Sequence, residues 1–188
     1  MIQVKKAASA CFLLFLIVST VLPFFSFQGY SMLTHTTSHL AAQGAPHAWV
    51  MKLVFICLGS MAVFVTYATR IRYHQLFGVL FGFSLIMTAF FPHAPMEAGL
   101  PVNVVQDKVH SVFAGGTGFS FTVLAVGHAF MSRGNQRTAG VVLAIAATLI
   151  PLLMIAFPSW MGLLQRMMFI CAFGWLFFYM EPPKQYKF

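Results

Sequence analysis

Six apolar runs, each about as long as a membrane-crossing helix, constrain this sequence more than any other feature. A helix rises about 1.5 Å per residue, so about 20 residues are needed to cross a hydrocarbon core of ~30 Å. Charged residues make up 7% of the chain, far below the roughly 25% that is typical of soluble domains. The sequence therefore predicts an all-α polytopic membrane protein. It is expected to form one domain over residues 1–188, a six-transmembrane-helix bundle with spans at residues 7–27, 48–68, 76–91, 110–131, 138–157 and 161–180.

The basic residues divide unevenly between the two sides of such a bundle, and this division predicts its orientation. By the positive-inside rule, the side richer in Lys and Arg faces the cytoplasm, so both termini are predicted to be cytoplasmic. The formal charge of +8 does not indicate a nucleic-acid partner, because most of the Lys and Arg residues lie in short tracts beside apolar runs. The first run is expected to remain as an anchor and not to be cleaved as a signal peptide. The basic residues on the predicted cytoplasmic side are Lys5, Lys6, Arg70, Arg72, Arg133, Arg137, Lys184 and Lys187.

Polar and ionisable residues concentrate on the opposite, extracytoplasmic side. Ionisable groups at this depth usually face a bundle interior or an aqueous cavity, where they find partners. The alternative is that the long outer connections are polar because they lie in water. The ionisable residues on this side are Lys52, Lys108, Arg166, His35, His39, His47, His93, His110, Glu97 and Asp107.

Asp107 and His110 stand at the start of the fourth span, in a chain with three acidic residues. If the helix already includes Asp107, the i, i+3 spacing places both side chains on one face. A carboxylate in that position orients an imidazole and raises its basicity, as it does in metal sites and for general bases. The alternative is that Asp107 caps the N-terminus of the helix while His110 lies at the membrane interface.

Two further histidines, His35 and His39, lie in the polar connection between the first two spans. Four residues separate them, a spacing that on a helix would direct both rings at one metal ion. The alternative is a solvated loop. His39, His110 and His35 are therefore the candidate metal ligands.

Small residues in the fourth span predict a helix-packing surface. Ser111, Gly115 and Gly118 fall on roughly one face, where they would let another helix approach closely. The sequence GGTG is not a phosphate-binding loop, because no strand precedes it and no lysine follows it.

Three stretches of the sequence resemble a known family. The run SHLAAQGAPHAWVMKLVFICLGSMAVF carries a serine-leading loop, a Gly-Ala-Pro turn and a tryptophan that opens the second helix. Together with FFPHAP and VHSVFAG, it is similar to the bacterial multipass family described as domain of unknown function 998, over most of residues 20–130. The resemblance implies a six-helix bundle in the bacterial inner membrane and brings no settled activity with it.

A more distant similarity is to the alkaline-ceramidase and adiponectin-receptor superfamily of transmembrane zinc hydrolases. Ser38, Asp107 and His110, with the pair His35 and His39, are similar in kind to the serine, aspartate and histidines of those proteins. The resemblance implies Ser38, Asp107 and His110 as catalytic residues and zinc as the cofactor. Those proteins have seven helices and a paired histidine motif in the last one, whereas the sixth span here contains no histidine.

Two functions follow directly from the extracytoplasmic polar residues. In the first, a hydrolase uses His110, oriented by Asp107, as a base or zinc ligand, with His39 or His35 as further ligands. Its lipid-like substrate would reach the site from the bilayer. In the second, the chain is a non-catalytic partner or small-molecule-binding subunit whose polar residues form a satisfied network.

A third function is that of a b-type cytochrome or quinone-linked subunit. His110 and His128 lie near opposite ends of one helix, and each would need a histidine from another segment as the second axial ligand. His74 and His93 are the candidates, and both are expected in loops.

Overall fold

The computed structural model describes residues 2–181 and residue 183, and every regular element among them is helical. Six helices are long and apolar enough to cross a membrane, as the sequence predicts. The helices are α1 (Ile2–Val21), the short α2 (Thr37–Leu40), α3 (Ala48–Ala68), α4 (Arg72–Phe90), α5 (Val104–Met131), α6 (Gly134–Ala156) and α7 (Met161–Gly174). Turns of 3-10 helix at Leu22–Phe25 and Pro158–Trp160 extend α1 and precede α7, and a π-helix at Trp175–Tyr179 extends α7.

Helices α4 and α5 begin earlier than the sequence predicts, and both differences concern candidate site residues. Helix α4 starts at Arg72, so His74 lies on its first turn and not in a loop. Helix α5 starts at Val104, where the side chain of Asn103 accepts a hydrogen bond of 3.1 Å from the N–H of Gln106. Asn103 is therefore the N-cap of α5, and Asp107 lies inside the helix.

The long helices alternate in direction, so their connections collect at two ends of the bundle. One end, called the basic end here, carries the α3–α4 and α5–α6 turns, with the exposed side chains of Lys6, Arg70, Arg72, Arg133 and Arg137. The other, the histidine end, carries α2 and the 91–103 loop. This division matches the predicted charge asymmetry. Lys184 and Lys187 lie outside the described residues, and so does the side chain of Lys5.

The interior is held together by aromatic side chains that meet edge to face or at a tilt. Phe15 of α1 and Phe173 both contact Phe169, with ring centroids 5.7 Å apart in each pair, and Phe81 of α4 lies 5.6 Å from Phe173. Large apolar side chains also cover the outer surface, where Phe130 is 78% exposed. Such exposure is expected where the surrounding solvent is lipid.

Helices α3 and α4 approach each other closely along their backbones at two glycines. A methyl group added at Gly59 or at Gly82 would overlap the carbonyl oxygen of the other glycine. Glycine at both positions lets the two helices touch along their backbones, as small residues do in membrane helix pairs.

The prediction of a helix-packing surface on α5 is wrong. Ser111 and Gly115 are exposed, and a Cβ atom added at Gly115 or Gly118 would meet no atom within 4 Å. Gly127 is the tightly packed glycine of this helix, because a Cβ there would overlap the ring of Tyr73. Gly115 and Gly118 instead border a gap between α5 and α6.

Candidate functional site

Four imidazole rings form a continuous row at the histidine end. The centroids of His35 and His39 are 5.5 Å apart, those of His39 and His93 are 5.0 Å apart, and those of His93 and His110 are 5.6 Å apart. We call these four residues the histidine row. The fold thus brings together the predicted His35, His39 and His110, and it adds His93 from the 91–103 loop between them.

Backbone N–H groups hold the first two rings. The N–H of Ser31 donates to Nδ1 of His35 at 3.0 Å, and the N–H of Thr36 donates to Nδ1 of His39 at 3.2 Å as α2 begins. Because an N–H group can only donate, both Nδ1 atoms are unprotonated. In the neutral rings, the proton is therefore on Nε2.

Backbone carbonyls hold the other two rings in the opposite tautomer. Nδ1 of His110 lies 2.8 Å from the carbonyl oxygen of Phe91, and Nδ1 of His93 lies 3.1 Å from that of Ala94. A carbonyl oxygen can only accept, so both Nδ1 atoms carry the proton. In the neutral rings, Nε2 is then the unprotonated nitrogen of both His93 and His110.

Asp107 lies beside a different histidine from the one expected. Its carboxylate accepts a hydrogen bond of 2.8 Å from the N–H of Ala94 and lies 3.7 Å from Nδ1 of His93. Among the described residues, no hydrogen bond joins it to His110. The i, i+3 spacing places Asp107 on the same side of α5 as His110, but the 91–103 loop inserts His93 against the carboxylate.

The row does not have the ligand arrangement of a zinc site. An imidazole binds a metal through an unprotonated nitrogen, and in His35 and His39 the backbone N–H groups already occupy that atom. Within residues 2–181, no group of three His, Cys, Asp or Glu side chains is placed to hold a metal ion. The candidate ligands His35, His39 and His110 therefore do not fit zinc in this arrangement.

Of the three row histidines in the connecting segments, His39 is the most buried, with 5% of its surface exposed. Burial is the main cause that lowers its pKa from 6.5 to about 3, and repulsion between charged rings of the neighbouring His93 and His35 contributes to the same shift. His39 is therefore neutral at physiological pH.

Arg166 fastens the segment that carries His35 to the start of α7. Its guanidinium donates to the carbonyl oxygens of Met32 at 3.1 Å and His35 at 2.8 Å, and to the hydroxyl of Tyr30 at 2.6 Å. A Cβ atom at Gly162 would overlap the same two carbonyl oxygens, so the segment lies directly on α7. Burial raises the pKa of Tyr30, which stays a neutral hydrogen-bonding group.

A cavity of about 590 Å³ lies beside the histidine row, between α4, α5, α6 and α7. Apolar side chains such as Phe81, Leu85 and Phe121 form its inner walls. Gly115 and Pro151 border it on α5 and α6 and are exposed on the surface of the bundle. The cavity therefore opens sideways between these two helices.

Ser38, one of the predicted catalytic residues, lines this cavity at the histidine end. Gln165 lines it at the same end, and Thr37 joins the two segments by donating to Oε1 of Gln165. In the described part of the chain, no histidine nitrogen lies within hydrogen-bonding distance of Ser38 Oγ. The structure thus places Ser38 at the cavity but does not form a serine–histidine pair.

A second histidine pair, His74 and His128, is buried at the basic end. Nδ1 of His128 lies 3.4 Å from Nε2 of His74, and its Nε2 lies 3.3 Å from Oε1 of Gln136. The ring of Trp175 packs against His128 at 5.1 Å between centroids. The sequence suggested these two histidines only as haem ligands, with His74 expected in a loop. The signal was present, since each histidine lies one turn from the basic end of its helix.

Both pairs required by the cytochrome hypothesis are present, but neither fits haem. A haem iron with two histidine ligands requires the porphyrin plane to lie between the rings. The facing nitrogens of His74 and His128 are 3.4 Å apart, and both rings are fully buried, so the structure leaves no gap for a porphyrin between them. The rings of His93 and His110 meet edge to face, with centroids 5.6 Å apart.

Comparison with known proteins gives one match. The family model described as "Protein of unknown function (DUF998)" matches residues 9–180. No curated protein and no solved structure matches the chain.

Proposed function

Since the chain belongs to the DUF998 family, whose description assigns no activity, we propose from its own geometry that it binds a lipid-like molecule within the membrane. The cavity between α5 and α6 carries this proposal. The proposed location for this binding is the bacterial inner membrane, in which the chain would be a multipass protein.

The cavity has the size and lining of a small-molecule site. Ligand pockets in proteins typically enclose roughly 300–1,000 Å³ and are mainly apolar with a few polar groups, and this cavity encloses about 590 Å³. Its lining on α5 runs from Ala114 to Thr122, about 12 Å at about 1.5 Å of rise per residue. That depth is close to one leaflet of a ~30 Å hydrocarbon core.

The opening faces lipid and not water. Phe119, which lines the cavity on α5, is 67% exposed on the outer surface of the bundle. Gly115 and Gly118 leave the space beside it unfilled. A water-insoluble molecule would therefore reach the cavity from the bilayer. By the positive-inside rule, the histidine end lies outside, so this molecule would come from the outer leaflet.

Binding is better supported than hydrolysis. A serine nucleophile needs a base within about 2.6–3.2 Å, and no histidine of the described residues is that close to Ser38 Oγ. For a hydrolase, the cavity could hold a substrate and Ser38 could act as the nucleophile, but the hydrogen bond from Ser38 Oγ to a base is missing among the described residues.

A fluorescent fatty-chain probe, added to the purified protein in lipid nanodiscs, tests the proposal. Gly115→Leu places a large side chain in the cavity without a clash at its Cβ, and we expect at least tenfold weaker binding. Gly174→Leu is the matched control, because a Cβ there also meets no atom within 4 Å and Gly174 does not line the cavity. Equal binding by the wild type and Gly115→Leu would contradict the proposal.

A further inference from the structure

We propose that the head group of the bound molecule is uncharged and accepts hydrogen bonds, as an ester or amide carbonyl does. This inference rests on the proposed function, because it concerns the same cavity. It follows from which hydrogen-bond donors in the cavity are free and which are already in use.

Gln165 presents two free donors. Its Oε1 accepts hydrogen bonds of 2.8 Å from both the backbone N–H and the hydroxyl of Thr37. Because the N–H of Thr37 can only donate, the amide oxygen must face Thr37. The amide nitrogen faces away, and within the described residues it has no hydrogen-bond partner. Since Gln165 lines the cavity, its two N–H groups are available to an acceptor there.

The threonines of the cavity do not offer donors. Each hydroxyl already donates to a carbonyl oxygen of its own helix, at distances from 2.6 Å for Thr88 to 2.9 Å for Thr117, Thr122 and Thr148. The free donors that line the cavity are thus Gln165 and the hydroxyl of Ser38. Both lie at the histidine end, so one head group can reach both while its chain extends toward Phe121.

No charged side chain lines the cavity among the described residues. Arg166 follows Gln165 in sequence, but its guanidinium is directed at the carbonyl oxygens of Met32 and His35 and does not line the cavity. Asp107 is held by the N–H of Ala94. A charged head group would lose its hydration without gaining a counter-ion, which is costly. An uncharged carbonyl or hydroxyl oxygen loses far less and gains the donors of Gln165 and Ser38.

Three probes with the same sixteen-carbon chain and different head groups test the inference. They are a monoacylglycerol, the free fatty acid and the primary amine, each used to displace the fluorescent probe from wild-type protein in nanodiscs at pH 8. We expect the monoacylglycerol to compete at a concentration at least tenfold lower than the other two. Equal or better competition by the acid or the amine would overturn the inference.

The variant Gln165→Glu separates the donor role of Gln165 from its structural role. A carboxylate oxygen can still accept from Thr37, but the two N–H donors are replaced by an acceptor. We expect at least tenfold weaker binding of the monoacylglycerol and stronger binding of the amine. Gln106→Glu makes the same exchange outside the cavity and serves as the matched control. Unchanged monoacylglycerol binding by Gln165→Glu, with the thermal stability of the wild type, would contradict the inference.

The two proposals fail in different ways. If all three probes bind equally and Gly115→Leu weakens all of them, the cavity is a lipid site and the head-group inference is wrong. If no probe displaces the fluorescent chain, or Gly115→Leu has no effect, the proposed function itself is wrong. Release of fatty acid from the monoacylglycerol, seen by mass spectrometry and lost in Ser38→Ala, would favour the hydrolase.

Discussion

The imidazole rings of His39 and His93 lie 5.0 Å apart between centroids, although one belongs to the connection after α1 and the other to the loop after α4. The same two segments are also joined through the backbone, because the N–H of Gln43 donates to the carbonyl oxygen of His93 at 2.9 Å. The short distance between the rings of His39 and His93 also disfavours protonation of both at the same time, because two charged rings repel each other.

The first prediction is a loss of stability at acidic pH that depends on His39. The pKa of His39 is about 3 in the folded protein, whereas an unburied histidine has a pKa of 6.5. As the pH falls, the unfolded chain therefore takes up a proton that the folded chain does not. Stability from this residue is complete above pH ~6.5 and falls as the pH drops toward 3. We expect His39→Gln to reduce the loss of thermal stability between pH 7.5 and 4.5 by on the order of 1–2 kcal/mol.

The control for this experiment is His47→Gln, since His47 is exposed and lies outside the histidine row. Melting temperatures of all three proteins in one detergent provide the measurement. If His39→Gln keeps the pH dependence of the wild type, the burial of a neutral His39 does not limit stability.

The second prediction concerns the fastening of the 26–47 connection by Arg166. Arg166→Met keeps the volume of the side chain but leaves the carbonyl oxygens of Met32 and His35 without their buried donor. We expect a destabilisation of about 2 kcal/mol, measured by thermal unfolding. Arg137→Met, at an exposed position on α6, should change stability little. Equal melting temperatures for the two variants would show that the fastening is dispensable.

The third prediction compares two glycine-to-alanine exchanges. At Gly82, the added methyl group would overlap the carbonyl oxygen of Gly59 and force α3 and α4 apart, so we expect a destabilisation of at least about 2 kcal/mol. At Gly118, it would meet no atom within 4 Å, and we expect little change. The comparison uses thermal unfolding in detergent. A stable Gly82→Ala would mean that the two helices are farther apart than the structure shows.

The fourth prediction is the orientation of the bundle. Glu97→Cys places a thiol in the exposed loop of the histidine end, and Asn135→Cys places one at the basic end. In a background where Cys11, Cys57 and Cys171 are replaced by alanine, a membrane-impermeant thiol reagent should label the first in intact cells and the second only after lysis. The reverse pattern would place the histidine row and the cavity mouth on the cytoplasmic side.

The six spans were predictable because each one must fill a hydrophobic thickness with apolar residues, and this requirement is visible along a single helix. The grouping of His35, His39 and His110 at one end follows from the same alternation of spans. The position of His93 between them was not predictable, since it depends on how the 91–103 loop folds back. His74 was placed in a loop because the span was started at residue 76, after the basic residues that in fact open α4.

The cavity was the part that sequence could not provide. Gly115 and Gly118 have the spacing of a packing surface, and a helix that packs closely and one that leaves a gap use the same small residues. What separates the two cases is the position of α6, which depends on contacts along the whole length of α5. One such contact is at Gly140, where a Cβ atom would lie 3.0 Å from the carbonyl oxygen of Ala125.

The backbone contact between Gly59 and Gly82 has a mechanical consequence for the cavity. Because the two backbones already touch there, α3 and α4 cannot move closer together on this side of the bundle. On the other side of the cavity, α6 bends more easily, since Pro151 lies inside this helix and cannot donate a hydrogen bond to the carbonyl oxygen of Ala147. We therefore expect a ligand to enter the cavity when α6 bends at Pro151, while α3 and α4 stay in contact.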